Sequence, residues 1–217
     1  MDVRRLAAGG RRLSPGKGKK SKAPAVCGCL ERRCGVKGFV REDQWFSLCG
    51  LNCGLCTMRL GGYCPGCGGG AGNQGCAVAR CSLDHGGVAY CWQCEAFPCG
   101  RYAERDAYDV LITTRNRRSD MEKARRMGPE AYGAEQRERR AMLDRLLAEH
   151  NDGRRKTLFA LAANLLELEA LRSVMETLEQ VGEAPLEERA ARAAALLGEA
   201  AERQGVVLKL RKKTGGK

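Results

Sequence analysis

Aromatic residues make up only 5% of the 217-residue chain, and histidine occurs twice. Any core must therefore be built mostly from Leu and Ala. No stretch reaches the roughly 18 apolar residues that a membrane-spanning helix needs. The longest strongly apolar run, Leu158 to Leu168, is interrupted by Asn164 and Glu167 and suits a buried helix. Met1-Asp2-Val3-Arg4-Arg5 carries charge with no apolar segment behind it, so neither a secretory nor a twin-arginine signal is expected. Association with a membrane is not expected, and the cytoplasm is the expected compartment. There thiols stay reduced and structural disulfides are rare.

Two histidines leave no His-Glu-x-x-His pattern, and no nucleophile–base pair or paired-carboxylate signature compels an enzymatic reading. Gly16-Lys17 fails as a phosphate loop, because no Gly lies five positions earlier and no Ser or Thr follows. Whether the chain is an enzyme stays open.

Cysteine is absent after Cys99 and dense before it. Ten of the thirteen cysteines fall between Cys49 and Cys99. Their spacing is Cys49-x3-Cys53-x2-Cys56-x7-Cys64-x2-Cys67-x8-Cys76-x4-Cys81-x9-Cys91-x2-Cys94-x4-Cys99. An odd total fits a pure disulfide framework poorly. Three Cys-x2-Cys pairs are instead the pattern by which thiolates grip a tetrahedral ion. All ten are candidate metal ligands, with Zn2+ the expected ion and an iron–sulfur cluster the alternative.

Cys64-Pro-Gly-Cys67-Gly reads as a metal knuckle, and Cys91-Trp-Gln-Cys94 as a second pair. Together they could make one four-thiolate ribbon-type site. Two four-thiolate sites would leave two thiols over, and three cysteines with His85 are a further combination. Cys49-x3-Cys53-x2-Cys56 resembles the cluster loop of radical S-adenosylmethionine enzymes. The alternating strands and helices that such enzymes need after the loop are absent, and Leu55 replaces their aromatic residue.

The ligands divide the chain. Residues 1–44 hold twelve Lys/Arg against four Asp/Glu and show no helical or strand period, which predicts a basic disordered extension. It supplies most of the net charge of +12. Its plain reading is a solvated tail; nonspecific attraction to nucleic acid is the alternative. Cys27, Cys29 and Cys34 within it read as bystanders.

Residues 45–102 are glycine-rich and predict a small metal-binding module of loops, with short strands at 45–48 and 88–92. Residues 103–217 predict helices. Ser119 and Glu122 suggest a capping box for a helix through Met127. Pro129 opens another helix to about His150, and a third runs from Arg154 through Leu165, continuing or restarting to Val181. A last helix spans Pro185 to Arg203, followed by a terminal strand at 206–210. The expected fold class is α+β.

Outside the cysteines, His85 reads as a turn residue and His150 as a cation favoured by a helix C-terminus. Asn151-Asp-Gly-Arg-Arg-Lys156 reads as a polar loop, with anion binding at a helix start as the alternative.

Cys49-Gly-Leu-Asn-Cys53-Gly-Leu-Cys56, Gln74-Gly-Cys76 through Arg80-Cys81, and Tyr90-Cys91-Trp-Gln-Cys94-Glu-Ala-Phe-Pro-Cys99 resemble the family catalogued as domain of unknown function 3795. The stretches 151–156, Ala163-Asn-Leu-Leu166 and Leu208-Lys-Leu-Arg211 are similar to its longer members. The resemblance spans roughly 45–212 and implies metal binding by the cysteines, without a metal, a ligand grouping or an activity. Three functional classes follow: a zinc module whose helices bind a protein or small ligand, an iron–sulfur or thiol redox protein, and a nucleic-acid binder using residues 1–44.

Overall fold

The computed structural model describes residues 36–70, 75–102, 106–180, 182 and 184–213. Seven α-helices are present among them: α1 Thr57–Leu60, α2 Ala77–Asp84, α3 Arg117–Met127, α4 Pro129–Glu149, α5 Lys156–Leu165, α6 Leu168–Glu179 and α7 Leu186–Arg203. Most of the expected basic extension lies outside the described residues, together with Cys27, Cys29 and Cys34.

The expected α+β class is overturned. The described residues contain no strand, only a single antiparallel bridge between Phe46 and Asn52. In each expected strand, local groups take the bonds a ladder would need. At 45–52, Ser47 Oγ accepts the Leu51 N–H at 2.7 Å while Ser47 N–H donates to the Leu51 carbonyl at 2.8 Å, which closes a tight loop. At 88–92, one bond from Cys91 N–H to the Leu48 carbonyl is followed at once by a 3₁₀ turn, Cys91–Gln93. At 206–210, the Arg115 guanidinium donates to the Val207 and Lys209 carbonyls, each at 2.6 Å.

α4 is the spine of the helical half. Pro129 sits at its first turn, where a missing N–H costs nothing. Its 21 residues run about 30 Å. Met142, Leu143 and Leu146 bury one stripe against Phe159, Ala162 and Ala163 of α5. Leu171, Val174, Met175 and Leu178 of α6 and Ala193, Leu197, Ala200 and Ala201 of α7 complete that core. α5 is buried from Phe159 through Leu165, which explains its near-continuous apolar run.

α5 and α6 are separate because Leu166 turns extended, at φ −78° and ψ 149°. Buried Arg139 of α4 secures the break by donating to the Ala163 and Leu166 carbonyls. The capping box at Ser119 is also corrected. α3 begins two residues earlier, and Ser119 Oγ donates to the Asn116 carbonyl instead of capping an N–H.

The cysteine-rich segment is built into this core rather than appended to it. Leu55 joins the α4–α7 cluster, and Phe46 lies 4.7 Å from the Tyr132 ring of α4. Buried Asn52, inside the Cys49–Cys53 loop, donates to Asp120 of α3 at 2.8 Å and accepts from the Tyr132 hydroxyl at 3.0 Å. Arg140 of α4 donates to the Gly54 carbonyl at 3.0 Å.

Candidate metal centres

All ten cysteines from Cys49 to Cys99 are half-buried, and none is in a disulfide. They surround two different cavities. Cys49, Cys53, Cys64, Cys67 and Cys76 line the first, of about 270 Å³. Cys81, Cys91, Cys94 and Cys99 line the second, of about 30 Å³, with His85 on its wall. Cys56 lines neither, yet its charge is felt at Cys53.

The first set is assembled by loops that only glycine permits. In Cys64-Pro65-Gly66-Cys67-Gly68, Gly66 and Gly68 have φ of 95° and 80°. A Cβ on Gly66 would meet the Gln44 carbonyl at 2.6 Å, and one on Gly68 the Arg41 amide nitrogen at 2.8 Å. The knuckle thus folds tightly against residues 41–44. Arg59 of α1 braces it by donating to the carbonyls of Gln44 and Pro65.

Burial pushes the Cys53 thiol strongly up, and the charges of Cys67, Cys49, Cys56 and Cys64 push it further. Burial also raises Cys67, against the Leu48 N–H and the Arg41 guanidinium, which favour its thiolate. Crowded, desolvated thiols of this kind resist ionisation alone; a bound soft cation would reverse that balance.

The second set is held by α2 and the turn after it. Cys81 lies in the second turn of α2, and the Cys81 sulfur is 3.7 Å from His85 Nδ1. That nitrogen is also 2.8 Å from the Cys81 carbonyl, its hydrogen-bond acceptor when Nδ1 is protonated, so His85 closes its own helix end. Cys91 and Cys94 flank the turn that carries Trp92, which stacks on Tyr90 at 4.1 Å.

The sulfurs ring their cavities without converging on a point. Among the described residues, no three His, Cys, Asp or Glu side chains are positioned to hold a metal ion as they stand. Holding one ion at either set would require its sulfurs to move closer together. The donor chemistry fits a soft cation, since each cavity gathers at least four thiols.

Several positioning residues carry no cysteine signature. Arg41 counts in the sequence as one more charge of the basic segment, but it is buried. It donates to the carbonyls of Asp43, Phe46 and Ala89 and lies 4.9 Å from the Tyr90 ring centre. It is therefore not exposed to attract nucleic acid. Asn52 could have been suspected from its place between two cysteines. Asp120 and Tyr132 gave no signal at all.

His150 is corrected too. It is buried, and burial lowers its pKa against the Arg189 backbone and the Glu149 carboxylate, which works against the expected helix-end cation. At 151–156, Asn151 Oδ1 accepts the Gly153 and Arg155 amides and Asp152 Oδ1 the Arg154 amide. These are the local bonds of a polar loop, and they leave out the first-turn amides of α5.

No helix among the described residues is long and apolar enough to cross a membrane. Compared with known proteins, the chain matches no family model, no curated protein and no solved structure. The likeness to domain of unknown function 3795 therefore rests on the quoted sequence motifs alone.

Proposed function

We propose that this is a metal-binding protein of structural and binding type, in which the thiolates of residues 49–99 hold zinc and the helical half presents a surface to a protein or small ligand. The observation that carries the reading is the gathering of nine of the ten unbridged cysteines around two cavities, in loops with little apolar core of their own. Zinc suits closed four-thiolate sites that contribute folding energy directly. A reducing compartment such as the cytoplasm would keep these thiols available.

A second reading, an iron–sulfur or thiol redox protein, has its own support. The first cavity is several times larger than the second and carries more thiols than one ion needs.

Anaerobic purification followed by elemental analysis and a visible spectrum tests both. Colourless protein with about two tightly held zinc ions is expected. Brown, oxygen-sensitive protein with broad visible absorbance would transfer the case to the second reading. Protein that retains neither metal, and takes up neither when reduced, would overturn both.

A further inference from the structure

We infer that the cysteines form two separate metal centres, one held by Cys49, Cys53, Cys64 and Cys67 and the other by Cys81, Cys91, Cys94 and Cys99. This rests on the metal-binding reading above and adds the membership of each site. It replaces the ribbon-type grouping that would join Cys64 and Cys67 to Cys91 and Cys94.

Three observations converge. First, the two cavities share no cysteine, and the second is lined by these four and no other. Second, the Cys64/Cys67 and Cys91/Cys94 pairs fall on opposite sides of a common wall. Val78 faces both cavities, and buried Leu48 stands between the pairs. The Leu48 N–H serves Cys67, while the Leu48 carbonyl accepts the Cys91 N–H at 2.9 Å. Leu48 thus contacts Cys67 through one peptide group and Cys91 through the next.

Third, α2 sends its cysteines to different cavities. Cys76 is its N-cap and Cys81 lies five residues on, which rotates it by about 140° around the helix axis and advances it about 7.5 Å. Accordingly Cys76 lines the first cavity and Cys81 the second.

Each proposed set contains one Cys-x2-Cys pair and two thiols from elsewhere in the chain, the composition expected of a closed tetrahedral site. The two thiols left over, Cys56 and Cys76, both belong beside the first centre. Buried Arg41 offsets negative charge at that centre, through Cys67, and reaches the approach to the other by donating to the Ala89 carbonyl at 3.0 Å.

The test uses the full chain, reduced, stripped and titrated with Zn2+, with thiol alkylation read residue by residue by mass spectrometry. Full loading is expected near two ions per chain. At sub-stoichiometric zinc, Cys81, Cys91, Cys94 and Cys99 should gain protection together, with a course distinct from that of Cys49, Cys53, Cys64 and Cys67. Cys67→Ser and Cys94→Ser should each lose about one ion, and the remaining ion should protect only the intact set. Joint protection of Cys64 and Cys67 with Cys91 and Cys94 would overturn the grouping while leaving the metal reading intact. Absence of any zinc uptake by the wild-type chain would instead strike the metal reading itself. Because the alkylation pattern is read on the unmutated protein, poor folding of a variant does not blunt the test.

Discussion

Residues 45–102 and residues 106–213 are similar in kind, chains of short helices and turns, but they bury very different amounts of oil. Among the described residues, the first contributes six buried hydrophobic residues and the second twenty-two. At about 1.5–3 kcal/mol for each large side chain fully buried, the helical half can offset its ordering entropy through packing. The cysteine-rich half cannot do so at that density, and its glycines raise the entropy to be overcome. Small domains with too little core recruit metal or disulfides. Here the disulfides are absent. On the proposed metal reading, the two halves should answer to different perturbations, one to loss of volume and the other to loss of a ligand.

The largest single effect is expected at Phe159, wholly buried where α5 meets the rest of the core. Phe159→Ala should cost about 3–5 kcal/mol in denaturant unfolding. Val78→Ala, in the wall between the cavities, should cost less but weaken zinc retention. Equal losses with unchanged zinc affinity would erase the distinction between the halves.

Next is the contact that joins them. Asn52→Ala removes the partner of both Asp120 and the Tyr132 hydroxyl in a buried setting, and about 2–3 kcal/mol of destabilisation is expected. Hydrogen exchange should rise on both sides of the junction. A change confined to residues 45–60 would mean that the halves are not mechanically joined there.

The same junction has a pH signature. Burial, only partly opposed by Tyr132, Arg139, Asn52 and Lys123, pushes Asp120 up to about 7 from an ordinary value of 3.8. A raised folded pKa means that the folded protein binds this proton more tightly than the unfolded chain. Stability from this group should therefore be greatest below about pH 4, fall as pH rises toward 7, and level off above. Asp120→Asn should flatten that slope in pH-dependent thermal unfolding; an unchanged slope would assign it elsewhere.

Asp109 titrates in the opposite sense and within the helical half. Burial would raise its pKa, but the Arg211 and Thr114 amides and the Arg211 guanidinium prevail and hold it at about 2. Its contribution, about 2 kcal/mol, should be present above pH 4 and lost as pH falls toward 2. Asp109→Asn should remove this acid limb and loosen residues 207–211, as read by hydrogen exchange. Retained protection there would show that Arg115 alone secures the segment.

Much of the helical half was legible in the sequence because its signals are local. Pro129 at the first turn, the stripe of Met142, Leu143 and Leu146, and Gly153 and Gly205 after helices all report on their own neighbourhood. The α5–α6 break was legible only as an alternative, because what secures it is Arg139, more than twenty residues away. The expected strands failed for the same reason. Val206 to Leu210 has strand composition, but Arg115 and Asp109 reach its vicinity first, from about a hundred residues back.

Among the candidate ligands, the residues could be read and their partition could not. Three Cys-x2-Cys pairs are alike as text. What places them beside different cavities is the five-residue step along α2 and the two backbone bonds of Leu48, neither of which is a spacing rule.

The central claim is that thiolate-bound metal holds residues 45–102 together while packing holds residues 117–203. Hydrogen exchange on the full chain, metal-loaded and then stripped under reducing conditions, tests it most directly. Stripping should abolish protection across residues 61–102 and leave the α4–α5 amides largely protected. Identical protection in both forms, or collapse of the α4–α5 core along with the cysteine loops, would contradict it.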